Sequence, residues 1–260
     1  MRTTKKNCLT RSRSGIVEHN RLQRLGLLIQ EEGIQRLQDS CVLVMGLGGV
    51  GGNAAESLAR SGVGKLIIVD GDVIQESNIN RQLIATVNTI DKDKVQVMKD
   101  RIQEINPDCN VIAHREFFDV DKKELFDDKI DFVIDAIDTV SSKLDLIEIC
   151  IKKKIPFISC LGMANRFDPS KLKVTRLDKT EYDPFAKALR TAARKRGMDL
   201  KIPVVFSEEI PIKQNTIVNE AGETRKEMIP PGSTAFVPPA AGLLCASYAV
   251  KILLNKEREK

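Results

Sequence analysis

A glycine-rich loop followed at short spacings by acidic and basic side chains is the part of this sequence best suited to chemistry. Five glycines occur within seven residues: Gly46, Gly48, Gly49, Gly51 and Gly52. Three of them form a G-x-G-x-x-G pattern, in which glycine lets the chain turn tightly and bring backbone N–H groups against phosphate oxygens at a helix N-terminus. Asp70 follows Gly51 by nineteen residues, where an acid accepts hydrogen bonds from ribose hydroxyls. The pattern predicts a nucleotide site.

The glycine pattern alone leaves the ligand open, because NAD, a flavin, a methyl donor and ATP all present a ribose and a polar group to such a loop. The next residues bear on the choice. The segment DGDVIQESNINRQ places six candidate ligand-binding side chains within thirteen residues: Asp70, Asp72, Asn78, Asn80, Arg81 and Gln82. Arg81 would be a poor neighbour for a cationic nicotinamide ring. It suits a triphosphate, since a guanidinium directs two N–H groups at phosphate oxygens.

Two further charged residues complete the predicted site. Lys94, at the start of the next helix, is placed to reach phosphate as a point charge. Asp138 follows the strand DFVIDA at the edge of the sheet where ligands bind, and its carboxylate would bind Mg²⁺ together with phosphate oxygens. Such a site stabilises charge that develops on phosphate, so the nucleotide is predicted to be consumed. Simpler interpretations stay open: Arg81 as an ion-pair partner of Asp70 or Asp72, Lys94 as a solvated helix residue, and Asp138 as a helix cap.

The elements that must position these residues alternate along the chain. Strand patterns (CVLVM, KLIIVD, NVIAHR, DFVIDA, IPFISC) alternate with helical patterns, a short turn KKELF, and the helix SSKLDLIEICIKKK starting from a serine cap. This alternation predicts an α/β fold, a Rossmann-like and mostly parallel sheet with helices on both faces. Ahead of the first strand, the apolar spacing of residues 20–37 predicts two short helices that separate at Gly33.

A C-terminal extension is predicted after Gly162. It contains a strand KLKVTRLD, a helix that opens at Asp183 and Pro184 and closes at Gly197, and a strand PVVFS. Residues 212–239 are polar and rich in glycine and proline, which predicts a long loop. A final apolar helix and a charged tail follow.

The composition indicates which class of protein this is. The 260 residues carry 42% hydrophobic and 30% charged residues with a net charge of +5, which is typical of a globular protein, and we expect one domain over residues 20–260. Residues 1–19 are expected to form a disordered basic arm, with an organelle transit peptide or a cloning remnant as alternatives. The six cysteines form no C-x-x-C pair, which argues against a zinc site built from paired cysteines and favours a cytoplasmic protein. No apolar run is long enough to predict a membrane span.

These motifs together resemble the superfamily of ubiquitin-activating and sulfur-carrier-activating adenylyltransferases that includes ThiF, MoeB and HesA. The resemblance rests on RLQRL, GLGGVGG, VDGDVIQESNINRQ, DKDKVQVMKDRIQEINP and DAID, and it extends over about residues 20–254. Such enzymes adenylate a carboxylate with MgATP. Further segments, among them ARSGVGKLIIVD, VIDAIDTVSSKLDLI, GMANRFDPSKLKVTRLDKTEYDPFAKALR and VVFSEE, resemble the tRNA threonylcarbamoyladenosine dehydratase subfamily.

The resemblance implies roles for the residues already singled out. Gly48 and Gly51 would lie beside the phosphates and Asp70 on the ribose, and the adenine and phosphate contacts would come from Asn78, Arg81, Gln82 and Lys94. Asp138 would handle Mg²⁺. Arg24, in RLQRL, aligns with an arginine that reaches the ATP of the partner subunit in relatives, which implies a homodimer; an ordinary surface arginine is the alternative. Arg24, Arg81, Lys94 and Asp138 are the predicted catalytic residues.

The implied reaction is the ATP-driven cyclisation of threonylcarbamoyladenosine in tRNA. It needs no nucleophile from the enzyme, so Cys160 and Cys245 are predicted to be structural, with a thioester role as the alternative. Two other functions remain open: adenylation of a ubiquitin-like or sulfur-carrier protein, with a sulfur-relay protein as a possible partner, and nucleotide binding without turnover.

A cluster of basic residues is the predicted tRNA contact. The segment KALRTAARKRG carries five cations and no acid: Lys187, Arg190, Arg194, Lys195 and Arg196. Lysine and arginine on one helix face would contact tRNA phosphates with an affinity that falls as salt rises. A solvated basic face is the alternative.

Overall fold

The computed structural model describes residues 21–119, 123–126, 129–213 and 230–255. The predicted basic arm, residues 214–229 of the predicted loop and the charged tail at 256–260 lie outside the described residues.

A single seven-stranded sheet organises the described residues. Its strands are β1 Cys41–Met45, β2 Lys65–Val69, β3 Asn110–His114, β4 Phe132–Asp135, β5 Phe157–Cys160, β6 Leu172–Arg176 and β7 Pro203–Ser207. Their order across the sheet is β3-β2-β1-β4-β5-β7-β6. All neighbours are parallel except β6 and β7, which confirms the predicted mostly parallel α/β fold.

Within the described ranges, six α-helices cover the two faces of the sheet. They are α1 Gln23–Gln38, α2 Gly51–Arg60, α3 Lys94–Ile105, α4 Val140–Lys153, α5 Pro184–Lys195 and α6 Val237–Asn255. Short 3₁₀ turns lie at Glu76–Asn78, Val87–Thr89, Lys123–Phe126, Pro169–Lys171 and Leu177–Lys179. Buried side chains of α1, α2, α3 and α6 form one apolar layer, and those of α4 and α5 pack on the opposite face.

The break in α1 lies at a different residue from the predicted one. Gln30 has non-helical dihedral angles, with φ 62° and ψ 176°, and it separates the two helical stretches. Gly33 is buried inside the second stretch, where an added Cβ would lie 2.7 Å from the Cβ of Ile29. The glycine therefore permits close packing within the helix and does not end it.

Two helix starts also differ from the prediction. The helix α4 begins at Val140 after Thr139, and no side chain caps it, so the predicted serine cap is wrong. The helix α6 begins at Val237 and includes Pro238 and Pro239. Proline is tolerated in the first turn of a helix because the backbone N–H groups there have no partner within the helix. The predicted loop therefore ends three residues too late.

Helix α6 is long and apolar enough to cross a membrane by length and composition, and among the described residues it alone passes that test. In the structure it packs against α2 and the sheet. Six of its side chains are buried in the main apolar layer: Val237, Ala241, Cys245, Ala246, Ala249 and Leu253. It serves as a core helix of this fold.

Candidate nucleotide site

The glycine loop lies at the carboxyl end of β1, pressed between β4 and α6. Gly46 has φ +89°, and a Cβ there would lie 2.9 Å from the carbonyl oxygen of Ala136. A Cβ on Gly51 would lie 1.7 Å from the oxygen of Gly46, and one on Gly49 would lie 2.9 Å from Pro238. At Gly48 the nearest atom would be 3.9 Å away. The loop therefore excludes side chains where it contacts protein and is more open at Gly48.

The predicted residues surround one large cavity of about 970 Å³, a size at the upper end for ligand sites. Ten of them line it: Gly46, Gly48, Gly49, Asp70, Asp72, Asn78, Arg81, Gln82, Lys94 and Asp138. They converge because the carboxyl ends of parallel strands β1, β2 and β4 meet at one edge of the sheet.

Three predicted residues do not line the cavity. Gly51 lies behind the loop, at the start of α2. The amide of Asn80 donates to the backbone oxygen of Ser233 at 3.1 Å, which ties two segments of the cavity rim together. Arg24 is exposed on α1.

Asp70 and Lys94 form a charged cluster at the end of β2. Asp70 accepts hydrogen bonds from the backbone N–H groups of Leu47 at 2.7 Å and Asp72 at 2.9 Å, so it orients the glycine loop. The ammonium of Lys94 lies 2.8 Å from the carboxylate of Asp72 and 3.8 Å from that of Asp70. Lys94 is only 5% exposed, so the interpretation of a solvated helix residue is wrong.

Arg81 reaches the cavity from the segment after β2. Its guanidinium donates to the backbone oxygen of Ser77 at 2.9 Å and to the side chain of Asn80 at 3.0 Å. Among the described residues it forms no ion pair with Asp70 or Asp72, whose cationic partner is Lys94. The ion-pair interpretation of Arg81 is therefore wrong, and no carboxylate of a described residue neutralises its positive charge.

Gln82 and Asn78 are buried beside Arg81, each 7% exposed. The side-chain oxygen of Asn78 accepts from the backbone N–H of Gln75 at 3.1 Å and stabilises a 3₁₀ turn. The side-chain oxygen of Gln82 is buried and has no hydrogen-bond partner within the described ranges. A buried amide oxygen without a donor is costly, so the wall of the cavity suits a ligand that donates a hydrogen bond there.

Asp138 is exposed on the cavity wall just beyond β4. Its one hydrogen bond to a described residue is a long one, 3.5 Å from the hydroxyl of Thr139. It does not cap α4, so the cap interpretation is wrong. An exposed carboxylate at this edge has the hard oxygen donors that Mg²⁺ prefers and space for phosphate oxygens beside them.

A buried polar network that was not predicted from the sequence lies directly behind the site. The ammonium of Lys143 lies 2.8 Å from the carboxylate of Asp135 and 3.1 Å from the hydroxyl of Ser159. Asp135 also accepts from the backbone N–H of Ile137 at 3.1 Å, within the turn that carries Asp138. The sequence signal that could have indicated this network is a lysine next to the apolar face of a helix, as in SSKLDLIEIC.

Cys160 and Cys245 lie next to this network. Both are buried, and Cys160 lines the cavity. A hydrogen bond with Cys160 and burial raise the pKa of the Cys245 thiol well above its usual value. A protonated thiol is a poor nucleophile, which favours the structural role predicted for Cys245 over a thioester role.

The predicted basic cluster is only partly directed at solvent. Arg190 donates to the backbone oxygen of Thr180 at 2.9 Å. Arg196 pairs with Asp145 at 2.5 Å and Glu148 at 3.3 Å on α4. The prediction of a tRNA contact therefore depends on the exposed side chains of Lys187, Arg194 and Lys195.

A Lys94→Met variant tests the charged cluster at β2. It removes a cation from the cavity wall and leaves two carboxylates without their partner, so we expect the Kd for ATP to rise about 10- to 100-fold. Isothermal titration with ATP measures this change. Lys99→Met on the same helix, outside the cavity lining, is the matched control and should stay within about twofold. Equal affinities for wild type and Lys94→Met would contradict a role in nucleotide binding.

Comparisons with known proteins agree with this geometry. The model of the ThiF family matches residues 20–260. A Bacillus subtilis (strain 168) protein named tRNA threonylcarbamoyladenosine dehydratase is 43% identical over 242 residues, which cover 91% of this chain and 95% of that protein. The Escherichia coli tRNA N6-threonylcarbamoyladenosine dehydratase in complex with AMP is 31% identical with a TM-score of 0.84, covering 92% of this chain and 96% of its own. The same enzyme in complex with ATP has a TM-score of 0.82 over the same shares of both chains.

Proposed function

This chain belongs to the ThiF family, and from that premise we propose that it dehydrates threonylcarbamoyladenosine in tRNA at the expense of ATP. One observation carries the proposal. A glycine loop, a buried lysine, an arginine and an exposed aspartate converge on one cavity, in a chain that is 43% identical to a dehydratase of that name over 91% of its length.

Each group on the cavity wall has a role in that reaction. Backbone N–H groups of the loop, with Arg81 and Lys94, would bind the phosphates of ATP. Asp70, which also holds the loop through the N–H of Leu47, would accept from the ribose. Asp138 would hold Mg²⁺, which supplies positive charge for the phosphate oxygens when it is bound.

The chemistry proceeds in two displacements. An oxygen of the threonine carboxylate attacks the α-phosphorus of ATP, the bond to the β-phosphate oxygen breaks, and pyrophosphate leaves. A nitrogen of the carbamoyl group then attacks the activated acyl carbon, loses its proton and expels AMP. Both nucleophiles belong to the substrate, so the protein acts by holding them in position and by stabilising charge on phosphate.

The experiment is incubation of the protein with ATP, Mg²⁺ and tRNA that carries threonylcarbamoyladenosine, followed by mass spectrometry of the nucleosides. We expect the modified nucleoside to lose one water and ATP to be converted to AMP and pyrophosphate. Pyrophosphate exchange that depends on a small protein ending in Gly-Gly, without a change in the tRNA, would support a carrier-protein adenylyltransferase and contradict this proposal. ATP binding without any turnover would contradict both.

We also propose that Arg24 acts on the ATP of a partner subunit. Its exposure on α1 and its absence from the lining of this chain's own cavity support a contact in trans. If so, Arg24→Ala and Asp138→Ala variants, each inactive alone, should form mixed dimers with one intact site when co-expressed. Random pairing would restore about a quarter of the wild-type activity. No recovery in a verified mixed dimer would place Arg24 in its own subunit's site or outside catalysis.

A further inference from the structure

A nucleotide held by the residues named above would contact only part of the cavity wall. The remaining wall is formed by the chain after β5, the N-terminus of α5, Pro231 and Ser233. The two halves are continuous at the rim, since Ser233 accepts from Asn80 at 3.1 Å and Gly232 accepts from the backbone N–H of Asn165 at 2.8 Å. A second ligand in this half would therefore lie beside the nucleotide.

Arg166 is the charged group of this second half. It is 2% exposed and lines the cavity. Its guanidinium donates to the backbone oxygens of Gly162 and of Glu209, the latter at 3.3 Å, so these two bonds fix its orientation. Its remaining terminal nitrogen, Nη2, is buried and has no hydrogen-bond partner among the residues the structure describes.

Asp183 faces that nitrogen. Its Oδ1 accepts from the backbone N–H groups of Phe185 at 2.8 Å and Ala186 at 3.1 Å, which caps α5 as the sequence predicts. Its Oδ2 lies 3.4 Å from Arg166 Nη2. Within the described ranges this oxygen is also buried without a hydrogen bond. The site thus offers one rigid donor and one rigid acceptor side by side.

The pair restricts the chemistry of its ligand. Its charges cancel, so a second phosphate would gain no net attraction, and the carboxylate of Asp183 would repel an anion. A neutral group that carries an acceptor and a donor next to each other, such as the C=O and N–H of a urea, satisfies both atoms. A site that must both donate and accept a hydrogen bond also discriminates against ligands that lack one of the two groups.

We propose that Arg166 and Asp183 bind the urea group that joins threonine to the adenine base in the substrate. Arg166 Nη2 donates to the urea oxygen, and Asp183 Oδ2 accepts from a urea N–H. This inference rests on the proposed function. Because one carbon separates the urea nitrogen from the threonine carboxylate, holding the urea here directs the carboxylate towards the nucleotide half of the cavity.

Two variants test the pair. Arg166→Met removes the donor, and Asp183→Asn removes the free acceptor while its amide oxygen still caps α5, since asparagine is an equally good cap. For each we expect the KM for modified tRNA to rise at least about tenfold while the Kd for ATP stays within about twofold of wild type. The matched control is Arg176→Met, which removes an arginine paired with Asp178 on the exposed surface and should change neither constant.

The outcomes separate this inference from the proposed function. Wild-type protein that leaves the modified tRNA unchanged contradicts the proposed function. If the wild-type protein turns over but both variants keep its KM for modified tRNA, the urea site alone is contradicted. The same holds if the variants lose ATP affinity by the same factor as their KM for modified tRNA rises.

A measurement on wild-type protein covers the case in which the variants fail to fold. N-carbamoyl-L-threonine should inhibit competitively with respect to tRNA, and its counterpart in which methyl groups replace every urea N–H hydrogen should not. Equal inhibition by the two compounds, or none by either, would overturn the urea site.

Discussion

An Asp138→Ala enzyme is expected to bind ATP normally and to lose about 10²- to 10³-fold in kcat for adenylation. Its carboxylate lies on the cavity wall just beyond β4 and is exposed. Its one hydrogen bond to a described residue is the long contact with Thr139, and it does not cap α4. Removing it should therefore leave the fold and the glycine loop intact while removing the group that would hold Mg²⁺ against the phosphates.

Two measurements separate binding from chemistry in this variant. Titration calorimetry gives the Kd for ATP, and the conversion of ATP to AMP and pyrophosphate with modified tRNA gives the rate. Asp138→Asn, which keeps the shape and removes the charge, should behave like the alanine variant. Asp100→Ala, an exposed aspartate on α3 outside the cavity lining, is the control. Unchanged turnover in Asp138→Ala would remove the metal-binding assignment.

The Lys143→Met variant is expected to lose about 3–5 kcal/mol of its free energy of unfolding. Lys143 and Asp135 are both 0% exposed, and their charged groups lie 2.8 Å apart. Ser159 donates to the same carboxylate oxygen at 2.6 Å. Removal of the ammonium leaves a buried carboxylate with only neutral hydrogen-bond partners, which is far more costly than the loss of an exposed ion pair.

A second substitution shows whether the uncompensated charge causes the loss. The Lys143→Met, Asp135→Asn double variant carries no buried charge, so it should recover more than half of the lost free energy. Lys173→Met, in an exposed pair with Glu208, should change stability by less than about 1 kcal/mol. Chemical denaturation followed by circular dichroism is the suitable measurement because the chain has no tryptophan. Additive losses in the double variant would show that packing, and not charge, holds this site together.

The sequence by itself predicted the order of strands and helices along the chain and the charged residues that line one part of the cavity. Strand and helix periods are local properties, and the ligand edge of a parallel sheet follows from the order of its strands. The glycine spacing therefore predicted the loop, and Asp70, Arg81, Lys94 and Asp138 were found at the carboxyl ends of β2 and β4 around one cavity. Local spacing did not determine which of these groups contact each other.

The tertiary structure alone decided the pairings between distant segments. Lys94 was predicted to meet phosphate, yet its position between Asp70 and Asp72 depends on how α3 packs beside β2. Arg166 and Asp183 meet because the chain after β5 runs past the start of α5, and Lys143 reaches Asp135 from a helix across the face of the sheet. The spacing of charged residues along the chain does not indicate which distant residue each of them contacts. Burial, which turns such contacts into strong ones, exists only after the layers have packed.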